Sequence, residues 1–233
     1  MKIALIGYGK MGKMIERLAP AKKMEVACTF DIDKPVRADQ ATRQKLRDVS
    51  VLIDFSFPEA VIDNIKTAAA LGINLVEGTT GWHQQLEEVQ KIVRDAKTGM
   101  VYASNFSLGV NLFYKIIERA GECMCAFDKY DPFIEESHHK FKKDAPSGTA
   151  LMLKNILKAN YPQIDIPVTS VRAGYIPGTH SIGFDSTVDT IRLTHTARSR
   201  EGLAEGALLA AKWLGANRKG FFEFGFVLNS MMK

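Results

Sequence analysis

Short β-type runs alternate with helical patterns from Lys2 to Tyr102, a G-x-G-x-x-G triplet separates the first run from the first helix, and the later residues hold several strands but one long helix among them. Together these observations predict an α/β chain: a Rossmann-like, doubly wound parallel sheet joined to an α+β unit with a mixed sheet. The strand candidates of the first unit are "KIALI", "EVACTF", "VLIDF", "NLVE" and "MVYA". "KMGKMIERLA" follows the first as a helix, "PEAVIDNIKTAAALG" follows the third with Pro58 suited to its first turn and Gly72 to its stop, and "WHQQLEEVQKIVRDAKTG" bridges the last two. Strands joined by such long crossovers pair in parallel.

The pattern changes after a helix beginning near Leu108. "DPFIEESHH" reads as a strand, "PSGTALMLKNILKAN" as a helix, and "VTSVRAGY", "THSIGF" and "STVDTIRLTHTA" as strands between Gly, Pro and Asp turns. A final amphipathic helix over residues 201–214 and the segment "FFEFGFVLN" return to the first unit or hinge the two.

The chain has 233 residues, 46% of them hydrophobic and 24% charged, which is enough to bury a sizeable core without low-complexity or repeat character. No apolar run approaches the roughly 20 residues of a membrane span, and the run from Ile3 to Ile6 is too short for a signal peptide, so the expected place is the cytoplasm. Three cysteines, Cys28, Cys123 and Cys125, lack metal-type spacing and read as reduced thiols. The net charge of +5 is scattered and accompanies no nucleic-acid signature, so it suits attraction of a small polyanion better than a nucleic-acid partner.

Gly7, Gly9 and Gly12 stand directly after the first strand, and Asp31 ends the second. In that context the first glycine permits a tight turn, the second lets a pyrophosphate approach the backbone, the third lets the helix pack closely, and the helix amides meet the phosphates. Asp31 suits the ribose hydroxyls of NADH, with Lys34 and Arg37 near enough in sequence to tolerate NADPH. "GTTGW", residues 78–82, and "ASNFSLGVN", residues 103–111, leave the carboxyl ends of the fourth and fifth strands, where ligands bind in such sheets.

The densest chemistry lies in "HHKFKKDAPSGTA", residues 138–150. An extended "FIEESHH" sends His138 and His139 to opposite faces, which argues against a metal site built on the pair. "DAPSGTA" turns into a helix with Asp144 or Ser147 as its cap, and the amides of Ser147, Gly148 and Thr149 form an anion cradle beside Lys140, Lys142 and Lys143. With an imidazole adjacent, this is the layout of a reductase acting on a small acidic substrate. An amino-acid dehydrogenase, or a nucleotide-sensing protein without catalysis, shares the first unit, and the cradle with its adjacent imidazole favours an enzyme acting on a small acidic substrate.

"EESHHKFKKDAPSGTAL" closely resembles the signature of the 4-hydroxy-tetrahydrodipicolinate (dihydrodipicolinate) reductase family of lysine and diaminopimelate biosynthesis. The resemblance runs the full length, through "GYGKMG", "VEGTTGW", "SNFSLGVNL", "RAGYIPGTH", "GFDSTVDTIRLTHTARSR" and "AAKWL" in order. It implies a dinucleotide-binding domain of residues 1–107 and 201–233, a substrate-binding and oligomerisation domain of residues 108–200, and a homotetramer. It implies His138 as general acid, Lys142 as catalytic lysine, and His139, Ser147, Gly148, Thr149 and Thr80 as substrate-binding positions. On the cofactor side it implies Gly7, Tyr8, Gly9, Lys10, Met11, Gly12, Asp31, Gly78, Thr79, Thr80, Ala103, Ser104, Asn105 and Phe106, with NADH, NADPH or both as cofactor and no metal. Three departures fall on the cofactor side: "GYGKMG" is one residue shorter than the family's common loop, the span from Asp31 to Val51 is short, and Ser104 replaces an alanine or proline.

Overall fold

The computed structural model describes residues 1–232, and the chain divides into two compact units: Met1–Ser107 together with the residues from Leu203 onward, and Leu108–Gly202. In the first unit β1 (Lys2–Ile6), β2 (Glu25–Phe30), β3 (Val49–Asp54), β4 (Asn74–Glu77), β5 (Gly99–Tyr102) and β10 (Gly220–Glu223) form one sheet in the order β10-β5-β4-β3-β1-β2. Every neighbouring pair is parallel. Successive residues of β3 point to opposite faces, Val51 and Ile53 to one core and Leu52 to the other, and both cores are covered. On one side Ile15 of α1 (Lys10–Leu18), Ala207 and Leu214 of α7 (Glu201–Leu214) and Val227 of α8 (Phe224–Met231) pack against the sheet. On the other lie Val61 and Ile65 of α3 (Val61–Leu71) and Val89 and Val93 of α4 (Leu86–Asp95).

The expected stops are in place: Pro58 opens a 3-10 turn before α3, and Gly72 caps α3 in the left-handed region at φ 74°. Two elements carry little sequence signal. The short α2 (Gln40–Lys45) buries one residue, Thr42, and is fixed by its cap, with the Asp39 carboxylate accepting from the Thr42 amide at 2.7 Å. β10 is four residues long and exists through its pairing with β5.

The second unit holds α5 (Leu108–Met124), β6 (Asp131–His138), α6 (Gly148–Asn160), β7 (Val168–Arg172), β8 (Thr179–Asp185) and β9 (Thr190–Thr196). Its sheet runs β7-β6-β8-β9, with β6–β7 parallel and the other pairs antiparallel, so the sheet is mixed. Phe113 and Ile117 of α5 and Leu153 and Leu157 of α6 cover Ile134, Ile182 and Phe184. Alternation along β6 buries Pro132, Ile134, Glu136 and His138. Two ionisable groups thereby share the strand face that carries the core residue Ile134.

Candidate active site

The second unit assembles its chemistry through strand register. Glu136 pairs with His180 of β8, and His138 with Arg172 of β7. Glu136 is almost fully buried: its Oε2 is hydrogen-bonded to His138 Nδ1, while its Oε1 accepts from Arg172 Nη2 at 2.6 Å and from the Ser147 amide at 3.3 Å. Burial alone would raise the Glu136 carboxyl, but Arg172, Ser170 and His138 outweigh it and bring the pKa down to about 2. An ionised carboxylate on Nδ1 makes Nδ1 the donor and leaves Nε2 as the nitrogen available for proton exchange. That Nε2 faces Gly178, at φ 147°, where an added Cβ would lie 3.1 Å away. Burial lowers the His138 pKa, Glu136 raises it, and the charges of Lys142 and Arg172 lower it again.

His180 completes the cluster. Its ring lies 5.0 Å from that of His138, its Nε2 is 3.1 Å from Ser147 Oγ, and burial followed by the charge of His138 brings its pKa down to about 4. It is therefore a neutral neighbour around pH 7. Glu136, His138 and His180 offer ligand-type atoms within 4.8 Å of one another. The Arg172 guanidinium occupies the same carboxylate, so the arrangement is an internally neutralised hydrogen-bond network.

Ser147 is the N-cap of α6, its Oγ accepting from the Ala150 amide at 3.2 Å. One expectation is corrected here: the Ser147 amide is engaged by Glu136, so of the three expected donors only the first-turn amides of Gly148 and Thr149 are left for an anion. An added Cβ at Gly148 would meet nothing within 4 Å, which leaves the backbone approachable. The Thr149 side chain lies near Tyr114 and favours the ionised form of the tyrosine hydroxyl, which burial opposes. Lys142 Nζ donates to both oxygens of Asp144, at 2.7 and 2.9 Å. His139 follows the last residue of β6 and keeps Nδ1 buried without a partner, while Lys140 lies over the rings of Phe141 and Tyr175.

In the first unit the three loop glycines differ as their separate tasks require. A Cβ on Gly7, at φ 84°, would stand 2.3 Å from the Phe55 carbonyl, and one on Gly12 2.3 Å from the Gly7 carbonyl; one on Gly9 would meet nothing within 4 Å. The turn and the helix are closed against protein, and the middle glycine opens outward. Tyr8 is tied to Glu16, while Lys10 and Met11 open α1. Between the ends of β1 and β3, where the strand order reverses, a cavity of about 100 Å³ is lined by Gly7, Asp31, Ile32, Ser56 and Asn64, among others. This combination fits a dinucleotide.

The Thr79 amide donates to Glu77 at 2.7 Å and its carbonyl accepts from Trp82 Nε1 at 2.8 Å; Thr80 is exposed. In the next loop the Ala103 amide bonds the Glu77 carbonyl, Ser104 is exposed and Asn105 Oδ1 accepts from the Ser107 amide at 2.8 Å. Phe106 differs from its neighbours. Its ring is core, against Phe55 and Phe224, and its carbonyl packs on Gly206, so it anchors the loop and keeps only its amide for a ligand.

Arg172 and His180 carry no signal in the sequence that would place them in this network. Glu136 was discoverable, since two residues before His138 on an extended strand is the same face. Arg172 and His180 reach the site through register alone.

Comparison with known proteins decides the family. Residues 1–106 match the model for the N-terminus of dihydrodipicolinate reductase and residues 109–228 the model for its C-terminus. The chain belongs to the dihydrodipicolinate reductase family. It is 38% identical over the full length of both chains to the 4-hydroxy-tetrahydrodipicolinate reductase of Christiangramia forsetii. It is 34% identical to that of Archaeoglobus fulgidus, covering 95% of this chain and 97% of the relative. Among solved structures, a dipicolinate-bound dihydrodipicolinate reductase from Paenisporosarcina sp. TG-14 superposes with TM-score 0.81 at 21% identity, covering 97% and 99% of the two chains. An engineered D-amino acid dehydrogenase shares the fold more distantly, with TM-score 0.51 at 12% identity. The amino-acid dehydrogenase alternative thus shares architecture and the reductases share sequence.

Proposed function

We propose that this dihydrodipicolinate reductase family member reduces 4-hydroxy-tetrahydrodipicolinate, or its dehydrated form, to tetrahydrodipicolinate in lysine and diaminopimelate biosynthesis, with His138 as general acid. The observation that carries the residue-level reading is the Glu136–His138 pair: a buried carboxylate holds Nδ1 and leaves Nε2 beside the charge field of Lys142. A nicotinamide cofactor supplies the hydride when bound. Around that step His138 protonates the ring atom left electron-rich, Lys142 neutralises a carboxylate and the charge that develops, and the Gly148 and Thr149 amides hold the substrate's anionic edge. Lys142 reaches its substrate by exchanging the Asp144 carboxylate for that of the ligand. His139 and Thr80 complete the substrate contacts.

On the cofactor side the reading assigns the pyrophosphate to the loop from Gly7 to Gly12, the ribose to Asp31, and the nicotinamide end to Gly78, Thr79, Thr80 and the amides of residues 103–106. NADH is preferred and NADPH tolerated; a carboxylate at Asp31, with exposed Lys34 and Arg37 nearby in sequence, supports that order. A homotetramer in the cytoplasm belongs to the same reading and rests on the family resemblance; no helix of the described residues is long and apolar enough to cross a membrane. The test is oxidation of NADH and of NADPH at 340 nm while a synthase supplies the heterocycle from pyruvate and aspartate semialdehyde. Synthase-dependent oxidation, faster with NADH, is expected. Silence with both cofactors from protein that binds NADH contradicts the proposal.

A further inference from the structure

Asp54 and Glu77 end β3 and β4, and they are direct partners in the parallel register. Neighbouring strands lie about 4.8 Å apart, so the side chains of such a pair stand together on one face. Both residues have no solvent exposure. Ser56 and Asn64 act on Asp54, Thr79 acts on Glu77, and the two carboxyl groups act on each other. None of these carries a positive charge. Two ionised carboxylates so placed would be left unpaired in a dry site, each with its desolvation uncompensated.

The hydrogen bonds give the pair its reach. Asp54 Oδ1 accepts from the Ser56 amide at 2.8 Å, and Oδ2 from Asn64 Nδ2 at 2.8 Å. The same Asn64 nitrogen lies 3.2 Å from Ser56 Oγ. Glu77 Oε1 accepts from the Thr79 amide at 2.7 Å, while Oε2 is sealed from water with no N–H donor. Asp54 therefore fixes Ser56 and Asn64, which line the cavity beside Gly7 and Asp31, and Glu77 fixes the turn at Gly78 and Thr79. An apolar residue at either position would strand the amide it now satisfies.

We propose that Asp54 and Glu77 share a single proton, carried on Glu77 Oε2, and that this acid pair is a positioning device tying the loop after β3 to the loop after β4 on the cofactor side of the sheet. Burial, then the charge of Asp54, pushes the Glu77 carboxyl well above the ordinary carboxylate range, and burial raises Asp54 as well. The proton turns a repulsive pair into a donor and an acceptor.

This inference rests on the assignment of those two loops to the cofactor, and the tests separate the two claims. Infrared spectra of the wild type at pH 7 are expected to show the C=O stretch of an un-ionised carboxylic acid that disappears in Glu77→Gln; its absence overturns the shared proton whatever the loops bind. Glutamine keeps an acceptor for Thr79 and a donor for Asp54, so Glu77→Gln is expected to fold, with NADH dissociation constant and kcat within about twofold of wild type. Glu77→Ala is expected to weaken NADH binding about tenfold, with a smaller, about twofold, rise in the KM of the dicarboxylate through Thr80 of the same loop. Equal losses in both parameters, or an unfolded Glu77→Gln, would overturn the positioning role. An infrared band that behaves as stated in a protein that binds neither NADH nor NADPH would overturn the positioning role and the cofactor assignment, and leave the shared proton standing.

Discussion

Glu136→Gln tests whether the buried carboxylate does what the geometry assigns to it. Glutamine keeps the shape and an acceptor, but removes the charge that neutralises Arg172, whose side chain is 17% exposed, and that holds His138. The Glu136 pKa falls from an ordinary 4.5 to about 2 in the folded state. At 1.36 kcal/mol per unit this corresponds to a ceiling of about 3 kcal/mol of stability. The folded pKa is depressed, so that stability is fully present above pH 4.5 and lost as pH falls towards 2. For a chain of this length the loss lowers Tm by roughly 6–12 °C at neutral pH. His138 loses a partner that raises its pKa, so the limb of the kcat profile marking loss of the protonated imidazole moves to lower pH. Differential scanning calorimetry and a pH series of NADH oxidation measure the two effects. A Tm within 2 °C of wild type together with an unmoved limb would refute the reasoning.

Other substitutions probe other parts of the account. His138→Gln is expected to lower kcat by roughly 10²- to 10⁴-fold with NADH affinity nearly unchanged, as read by steady-state kinetics and fluorescence titration; a parallel loss of NADH binding would make the histidine structural. Lys142→Ala should lower both turnover and substrate affinity, and an unaltered kcat/KM would remove it from the site. Asp31→Ala should move the NADH to NADPH ratio of kcat/KM towards NADPH, by about tenfold, and no shift would place ribose recognition elsewhere. Gly9→Ala puts a methyl group into open space, so it should leave Tm unchanged and weaken cofactor binding; a fall in Tm without loss of binding would show that the loop is only a turn.

Most of the fold was legible because its signals are local. The G-x-G-x-x-G loop, the β runs between helical patterns, Pro58 and Gly72 each act over a few residues, and the parallel sheet and the α+β unit follow from them. β10 was not legible: "GFFE" has no alternation of its own, and its strand state comes from the edge of β5. The same division holds in the candidate site. His138, Lys142 and the cap of α6 lie in one motif, whereas Arg172 and His180 are brought to Glu136 by pairings across β6, β7 and β8 that no linear pattern encodes. The Ser147 amide illustrates the consequence. It read as a free helix-end donor until the register supplied the carboxylate that takes it.

The most direct test of the central claim is hydride transfer itself. In a single turnover with NADH deuterated at the transferable position, and with the heterocycle supplied by the synthase, mass spectrometry is expected to find one deuterium in tetrahydrodipicolinate from the wild type, and the label appearing far more slowly with His138→Gln. Oxidation of the cofactor with no deuterium in the dicarboxylate product would contradict the account.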